Sequence, residues 1–316
     1  MEGKIRLGIS SCLLGNKVRY DGGHKLDHFL TDTLGAHVEY VPVCPEVEVG
    51  LPIPREALRL VGDPLAPRLV TNRSGEDLTE RMKSWASRRL DELEKEDLCG
   101  FIFKSGSPSS GMERVRVYDS SGVPKKTGAG IFARAFMERF PSLPVEDEGR
   151  LNDPDLRENF IERIFALRRW RELEKGEFSV GALVKFHSAH KLQIMAHSPK
   201  HYTEMGRLVA HGAETEASVL VQAYRGMFLE ALGHHATPGR NANVLKHIAG
   251  YFRKLLDASE RQELSETIEN YRTGLFPLIV PITLINHYVL KYDDPYLRQQ
   301  HYLRPHPLEL KLRNHA

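Results

Sequence analysis

Three short apolar runs end on groups that can do chemistry: Ile5-Arg-Leu-Gly-Ile-Ser-Ser-Cys12, Val38-Glu-Tyr-Val-Pro-Val-Cys44, and Gly100-Phe-Ile-Phe-Lys104, which empties into Ser105-Gly-Ser-Pro-Ser-Ser-Gly111. Each run reads as a β-strand. In an α/β sheet, ligands collect where strands end, because loops and helix N-termini converge there. Two thiols and a serine-rich loop are therefore expected to meet at one place.

The pattern around these runs supports an α/β layer over residues 1–150, with a mainly parallel sheet. The clearest helix is expected from Asp77 to Lys95, where Leu78, Met82, Trp85, Ala86, Leu90 and Leu93 recur at three- and four-residue spacing. Pro42, Pro45, Pro52 and Pro54 bracket Cys44 and predict a shaped loop over 44–55 with no helix interior. A linker is expected over Pro141–Pro154, which holds the acidic run Glu146-Asp-Glu148.

Beyond it the chain reads as all-α, from about 155 to 316. A helix is expected over Asn159–Leu173, with Phe160, Ile164, Leu167 and Trp170 on one stripe. Ser198-Pro199 and Thr237-Pro238 have the form of N-caps with proline in the first turn. Ser259-Glu-Arg-Gln262 has capping-box spacing, for a helix closed by Gly274. Leu275–Ile285 is apolar but broken by Pro277 and Pro281, so it is expected in the core, and Pro305–Arg313 reads as a docked tail.

Composition bounds the class. No apolar run reaches membrane-spanning length and no signal-peptide pattern opens the chain, so a cytoplasmic protein is the expectation. Three widely spaced cysteines make no disulfide framework. Of the 15 histidines only His24, His28 and His37 precede residue 151, so 15 − 3 = 12 lie in the second part. Residues 151–316 hold 22 Lys/Arg against 19 Asp/Glu, 22 − 19 = +3, which is no basic stripe.

Ser11-Cys-Leu-Leu-Gly15, Arg19-Tyr-Asp-Gly22, Cys44-Pro-Glu46 and Ser107-Pro-Ser-Ser-Gly111 together resemble the thiouracil desulfidase (TudS) family. Phe186-His-Ser-Ala-His-Lys191, His197-Ser-Pro-Lys-His-Tyr202 and Pro277–Tyr288 resemble the helical YbgA-type domain. The two in this order are similar to the RudS proteins, which are associated with removing sulfur from 4-thiouridine in tRNA. The resemblance implies a [4Fe-4S] cluster held by three cysteines with one iron open, and a non-redox reaction. On it, Glu46 and Glu48 are candidates to move the proton of an attacking water, and Ser107 to orient substrate. Ser11, Arg19, Tyr20, Asp21 and Ser109 are candidate substrate contacts.

The family pattern expects cysteine where this chain has Ser110. A hydroxyl is a harder ligand than a thiolate, so a cluster on Cys12, Cys44 and Ser110 is expected to be weaker or absent. Cys99 opens the strand that Ser105 follows, which places it at the far end of the sheet and favours a structural thiol. In the helical part, His187, His190, Lys191, Lys200, His201 and Tyr202, with Arg240, Asn241, Asn243 and Lys246, are expected to form an RNA surface. Three functions stay open: a tRNA or thionucleoside desulfidase, a non-catalytic binder of the same ligands that lost its cluster, and a structural module whose helical part mediates oligomerisation. The oligomeric state is not read from the sequence.

Overall fold

The computed structural model describes residues 4–176 and 178–314. It divides into two compact units, Met1–Asp153 and Pro154–Ala316.

The first unit holds strands β1 (Ile5–Ser10), β2 (Val38–Val43), β3 (Leu58–Val61), β4 (Arg68–Thr71), β5 (Phe101–Phe103), β6 (Val115–Tyr118), β7 (Pro124–Gly128) and β8 (Val145–Asp147). Four of them make a parallel sheet in the order β2-β1-β5-β8. Register is set by Ile5 opposite Val38 and Gly8 opposite Phe101. Gly8 is required at its place, because a Cβ there would stand 2.1 Å from the Phe101 ring. Pro42, which has no N–H for a ladder, is accommodated because β2 is an edge strand. Helices α1 (Pro45–Glu48), α2 (Thr79–Glu94) and α3 (Ile131–Arg139) complete the unit.

The sheet is buried because α2 lays Met82, Trp85, Ala86, Leu90 and Leu93 into the same core as Phe101, Phe103, Phe132 and Phe136. Phe101 and Phe103 stack at 4.3 Å, and Trp85 tilts against Phe132 at 5.4 Å.

Three sequence expectations change here. The 44–55 loop contains a turn of helix, α1, because Pro45 takes the first helical position, where its missing N–H costs nothing. Part of the expected linker is a strand: β8 pairs with β5, and Glu146 and Asp147 are buried. A second sheet, β4-β3-β6-β7, was not foreseen. It is mixed, with β3 parallel to β6 and the outer pairs antiparallel.

The second unit is helical: α4 (Pro154–Lys175), α5 (Val180–His197), α6 (Pro199–Ala210), α7 (Ala217–Gly233), α8 (Pro238–Tyr251), α9 (Ala258–Arg272), α10 (Ile279–Tyr292) and α11 (Pro295–Arg298). Ser198 and Thr237 accept the N–H groups of His201 and Arg240, so both caps stand as expected. The α9 capping box is formed by Asp257 and Glu260, two residues ahead of the expected serine. Asp257 wins because it sits where the chain is still extended and its carboxylate reaches the Glu260 N–H. Gly274 follows the helix in the left-handed region, as expected.

The tail does dock. Arg313, with a side chain only 6% exposed, pairs with Glu158 at 2.8 Å and Glu162 at 2.6 Å and donates to the Tyr302 carbonyl at 2.7 Å. Burial alone would raise the Glu162 carboxyl, but His197 at 2.8 Å and Arg313 hold it well below the usual carboxylate range. Ligand atoms of Glu158, Glu162 and His306 lie within 4.8 Å of one another, a spacing that suits a metal ion. The Arg313 guanidinium already supplies the positive charge there. Removing one partner of a buried ion pair leaves the other uncompensated. Arg313→Ala should therefore cost about 3–5 kcal/mol, read as a lowered unfolding midpoint of the intact chain. An unchanged midpoint would show that the tail is not a structural part of this unit.

Candidate functional site

The parallel ladder sets the site. Because β1, β2 and β5 run the same way, the segments that follow them leave the sheet at one edge. After β1 the chain makes a single 3-10 turn, Ser11–Leu14, which carries Cys12. After β2, Cys44 precedes α1. After β5 comes Lys104 and the serine loop, and the Lys104 N–H donates to the Ser10 hydroxyl at 2.9 Å.

That loop is clamped from behind by the start of α3. Phe132 and Ala133 N–H groups donate to the Ser109 carbonyl at 3.0 and 3.2 Å, and Ile131 N–H to the Pro108 carbonyl at 3.2 Å. The helix's orphan N-terminal donors are thereby satisfied. Gly130 permits the approach, since a Cβ there would lie 2.4 Å from the Ser109 backbone.

These segments enclose a pocket of about 300 Å³ whose wall includes Ser11, Cys12, Arg19, Tyr20, Cys44, Glu46, Ser107 and Ser110. Both cysteines are free thiols, Cys12 buried and Cys44 partly so. Burial pushes the Cys12 thiol up to about 11 and the Cys44 thiol up to about 12, with the Glu46 charge adding to the Cys44 shift. Glu46 organises the pocket. Its carboxylate accepts from Ser109 at 2.5 Å and Ser107 at 3.5 Å, and the Cys44 thiol lies 3.6 Å away. Ser107 and Ser109 hydroxyls are 3.0 Å apart, and Ser109 and Ser110 3.4 Å.

Other expected residues stand elsewhere. Glu48 is not among the pocket-wall residues: it accepts the Cys44 N–H at 2.8 Å, at the start of α1, and pairs with Arg89 at 3.1 Å. Burial raises its carboxyl. Ser109 is fully buried behind Glu46, which makes it a support for that carboxylate. Asp21 closes a turn through the Gly23 N–H at 2.9 Å, and pairs with Arg19 at 3.6 Å. Cys99 is 1% exposed, and its N–H donates to the Arg6 carbonyl at 2.8 Å, near the start of β1. Arg6 and Ser10 are four strand steps apart, roughly 13 Å at 3.3 Å each, so Cys99 lies at the opposite end of the sheet.

Three cations of the pocket wall escaped the sequence reading, Lys25, Arg55 and Lys104. Arg55 lines the pocket with a side chain 7% exposed, donates to the Val18 carbonyl at 2.9 Å and lies 3.9 Å from Glu46. Lys104 also lines it and pairs with Glu148. Lys104 ends the third apolar run and was within reach of the strand argument; nothing local marks Arg55.

The donor set tests the implied cluster. Cys12 and Cys44 offer soft sulfur, and Ser110, on the same wall, offers a hydroxyl. The set fits an iron–sulfur group at two positions and substitutes oxygen for sulfur at the third.

In the helical unit four of the residues expected to face RNA, His187, His190, His201 and Asn241, are buried. His187 is buried against the Tyr224 hydroxyl at 3.1 Å, and His190 donates from Nδ1 to the Phe186 carbonyl at 2.8 Å and accepts from Arg169 at Nε2 at 3.0 Å. His201 is buried beside the Ser198 hydroxyl at 2.8 Å, and Asn241 is buried beside Tyr271 at 3.0 Å. His187 and His190, three residues apart on α5, share a face of that helix, and both are buried. Arg240 is occupied by the carbonyls of His197 and His235 at 2.9 and 3.2 Å. Lys200 stays out, its side chain 76% exposed, and Lys191 lies 4.8 Å over the Tyr296 ring.

Comparison with known proteins places residues 7–148 in the family described as 2-thiouracil desulfurase and residues 191–307 in a family of unknown function, DUF1722. An Escherichia coli protein described as uncharacterized protein YbgA is 37% identical over 153 residues, which is 48% of this chain and 90% of that protein. The Bacillus subtilis protein described as uncharacterized protein YbbK is 32% identical over 152 residues, 46% of this chain and 97% of that protein. A solved [4Fe-4S]-dependent thiouracil desulfidase, TudS, is 33% identical, with 48% of this chain and 95% of the solved chain covered at a TM-score of 0.40.

Thiols react as thiolates. With no metal bound, iodoacetamide labelling of Cys12 and Cys44 should keep accelerating above about pH 9, where an ordinary cysteine, with a pKa near 8.5, has levelled. Cys99 should stay unlabelled until the protein unfolds. Peptide mass spectrometry distinguishes the three, and rates that level at about pH 8–9 would contradict the burial argument.

Proposed function

Because the chain belongs to the 2-thiouracil desulfurase family in its first part and carries a DUF1722 domain in its second, we propose that it removes sulfur from a thiolated uracil base, with 4-thiouridine in tRNA as the substrate. The observation that carries this reading is the meeting of Cys12, Cys44, Ser110 and Glu46 in one pocket at the ends of parallel strands.

Cys12 and Cys44 would hold a [4Fe-4S] cluster through sulfur, with the Ser110 oxygen as third ligand. When bound, such a group supplies a Lewis acid that polarises a thiocarbonyl sulfur and receives it as it leaves. The rest falls to side chains. Glu46 faces the pocket and accepts a proton from the attacking water, while Ser109, at 2.5 Å, and Ser107, at 3.5 Å, fix the carboxylate's direction. Ser107 also has a face on the pocket and orients the base. Arg55, close to Glu46, offsets that carboxylate's charge in a site poor in water. Water supplies the oxygen and sulfur leaves as sulfide, so the balance needs no oxidant or reductant.

For the helical unit, the reading is RNA contact through the cations that remain outside, Lys191 and Lys200, with Lys246 on α8. Two observations favour a narrower second reading, a binder without turnover: Ser110 in the third ligand position, and the interior placement of His187, His190, His197 and His201.

Anaerobically prepared protein should convert a thiolated uracil to uracil with release of sulfide, followed by loss of the thione absorption. Glu46→Gln should slow this by about 10²–10⁴-fold, the usual weight of a general base. No turnover by the wild-type protein on free base, nucleoside or tRNA would move the conclusion to the binder. Separately, tRNA affinity should fall as salt rises, because phosphate contacts release counterions. Lys191→Ala with Lys200→Ala should flatten that dependence by about two contacts, and a salt-independent affinity would remove the RNA role from this unit.

A further inference from the structure

Two carboxylates, four residues apart on α4, meet inside the helical unit: the Glu158 side chain is 15% exposed and that of Glu162 only 5%. One oxygen from each and one ring nitrogen of His306 lie within 4.8 Å of one another. Arg313 explains the carboxylates. Its Nε donates to Glu158 and its Nη2 to Glu162, while Nη1 goes to the Tyr302 carbonyl. All three guanidinium nitrogens are thus engaged, and none of these bonds serves His306.

The His306 ring is buried, and its Nδ1 donates to the Pro307 carbonyl at 3.1 Å. Its Nε2 is buried too and has no hydrogen-bond partner among the described residues. Burial, with the Arg313 charge beside it, pushes the ring down to about 4, so Nε2 carries a lone pair at neutral pH. A buried acceptor left without a donor is costly. One nitrogen on a backbone carbonyl and the other bare is the state in which histidine ligates a metal, because the carbonyl fixes the tautomer and aims the lone pair. Glu162 has the matching support, since its second oxygen is held by His197 at 2.8 Å.

We propose that Glu158, Glu162 and His306 form a divalent-cation site of the helical unit, suited to zinc, and that the metal takes the place of the Arg313 guanidinium as counter-ion to the two carboxylates. An imidazole with two carboxylates is a borderline donor set, which suits zinc better than magnesium, an ion that prefers an octahedron of oxygens. Zinc bonds of about 2.0–2.2 Å set tetrahedral ligand atoms roughly 3.4 Å apart, so the three side chains draw inward by no more than about 1.4 Å. Metal and guanidinium repel at that range, so each weakens the binding of the other. His306 and Arg313 both belong to the docked tail, and the tail therefore stays on α4 through His306 when Arg313 lets go. Nothing in this depends on sulfur removal by the first unit.

The test is zinc binding by calorimetry to the full chain carrying Cys12→Ser and Cys44→Ser, which removes the two pocket thiols as competitors. One zinc per chain is expected, and His306→Ala should weaken it at least about tenfold, since even the outer partners of metal ligands are worth that much. Because Arg313 competes, Arg313→Ala should bind zinc about tenfold more tightly. Zinc should also restore much of the unfolding midpoint that this variant loses in chelator. If Arg313 and the carboxylates were only a structural ion pair, zinc would leave the lowered midpoint where it is. Weaker zinc binding by a folded Arg313→Ala protein would overturn the exchange with Arg313. If Arg313→Ala does not fold, the His306→Ala comparison decides alone. No bound zinc, or zinc bound equally by the parent and His306→Ala proteins of the same circular dichroism, would overturn the site.

Discussion

The parallel pairing of β1 with β2 and β5 is the constraint on which the rest of the first unit depends. An antiparallel neighbour would deliver its following loop to the opposite edge of the sheet. With all three strands aligned, Cys12, Cys44 and the serine loop leave at the same edge and reach one pocket although they are far apart in sequence. The alignment depends on burial: Leu7 and Ile9 of β1 and all of β5 are without exposed surface, so a one-residue slip would turn packed side chains out of the core. The position of Gly8 against the Phe101 ring closes the same register from the side of shape.

The same geometry separates the three cysteines into two kinds. Cys99 precedes β5 beside the start of β1, whereas Cys12 follows the end of β1, so the length of a strand stands between them. It is buried, as a structural thiol serving as a small hydrophobe is. Ser110 lies on the same pocket wall as Cys12 and Cys44, and on the proposed function an oxygen there in place of sulfur lowers affinity for a soft metal. The loop around it is held by α3 and by Gly130 whether or not a metal is bound.

The sequence carried the sheet's working edge because each strand there is short, apolar and followed at once by its functional residue, so Cys12, Cys44, Ser107 and Ser110 were found without tertiary information. Glu48 was grouped with Glu46 because nearness to Cys44 in sequence says nothing about direction: its carboxylate accepts the Cys44 N–H, and the pocket wall holds Glu46. Arg55 was missed because its part in the site comes from a loop folding back on Val18 and Glu46. The second sheet was missed because β7, Pro124–Gly128, is mostly exposed and polar and lacks the period-two signal. In the helical unit, spacing put His187 and His190 on one face of α5 and polarity then suggested water. Hydrogen bonds of the buried histidines to Tyr224, Phe186, Glu162 and Ser198 satisfy them inside instead.

The central claim is that Cys12, Cys44 and Ser110 together form the cluster-binding set. The most direct measurement is the iron content and visible spectrum of anaerobically reconstituted protein, compared with Ser110→Cys and Cys99→Ser. The account predicts broad absorption near about 400 nm, with iron approaching about four per chain in Ser110→Cys, less in the wild-type protein, and no change in Cys99→Ser relative to wild type. Bleaching by Cys99→Ser with no gain from Ser110→Cys would contradict it and place the third ligand at the other end of the sheet.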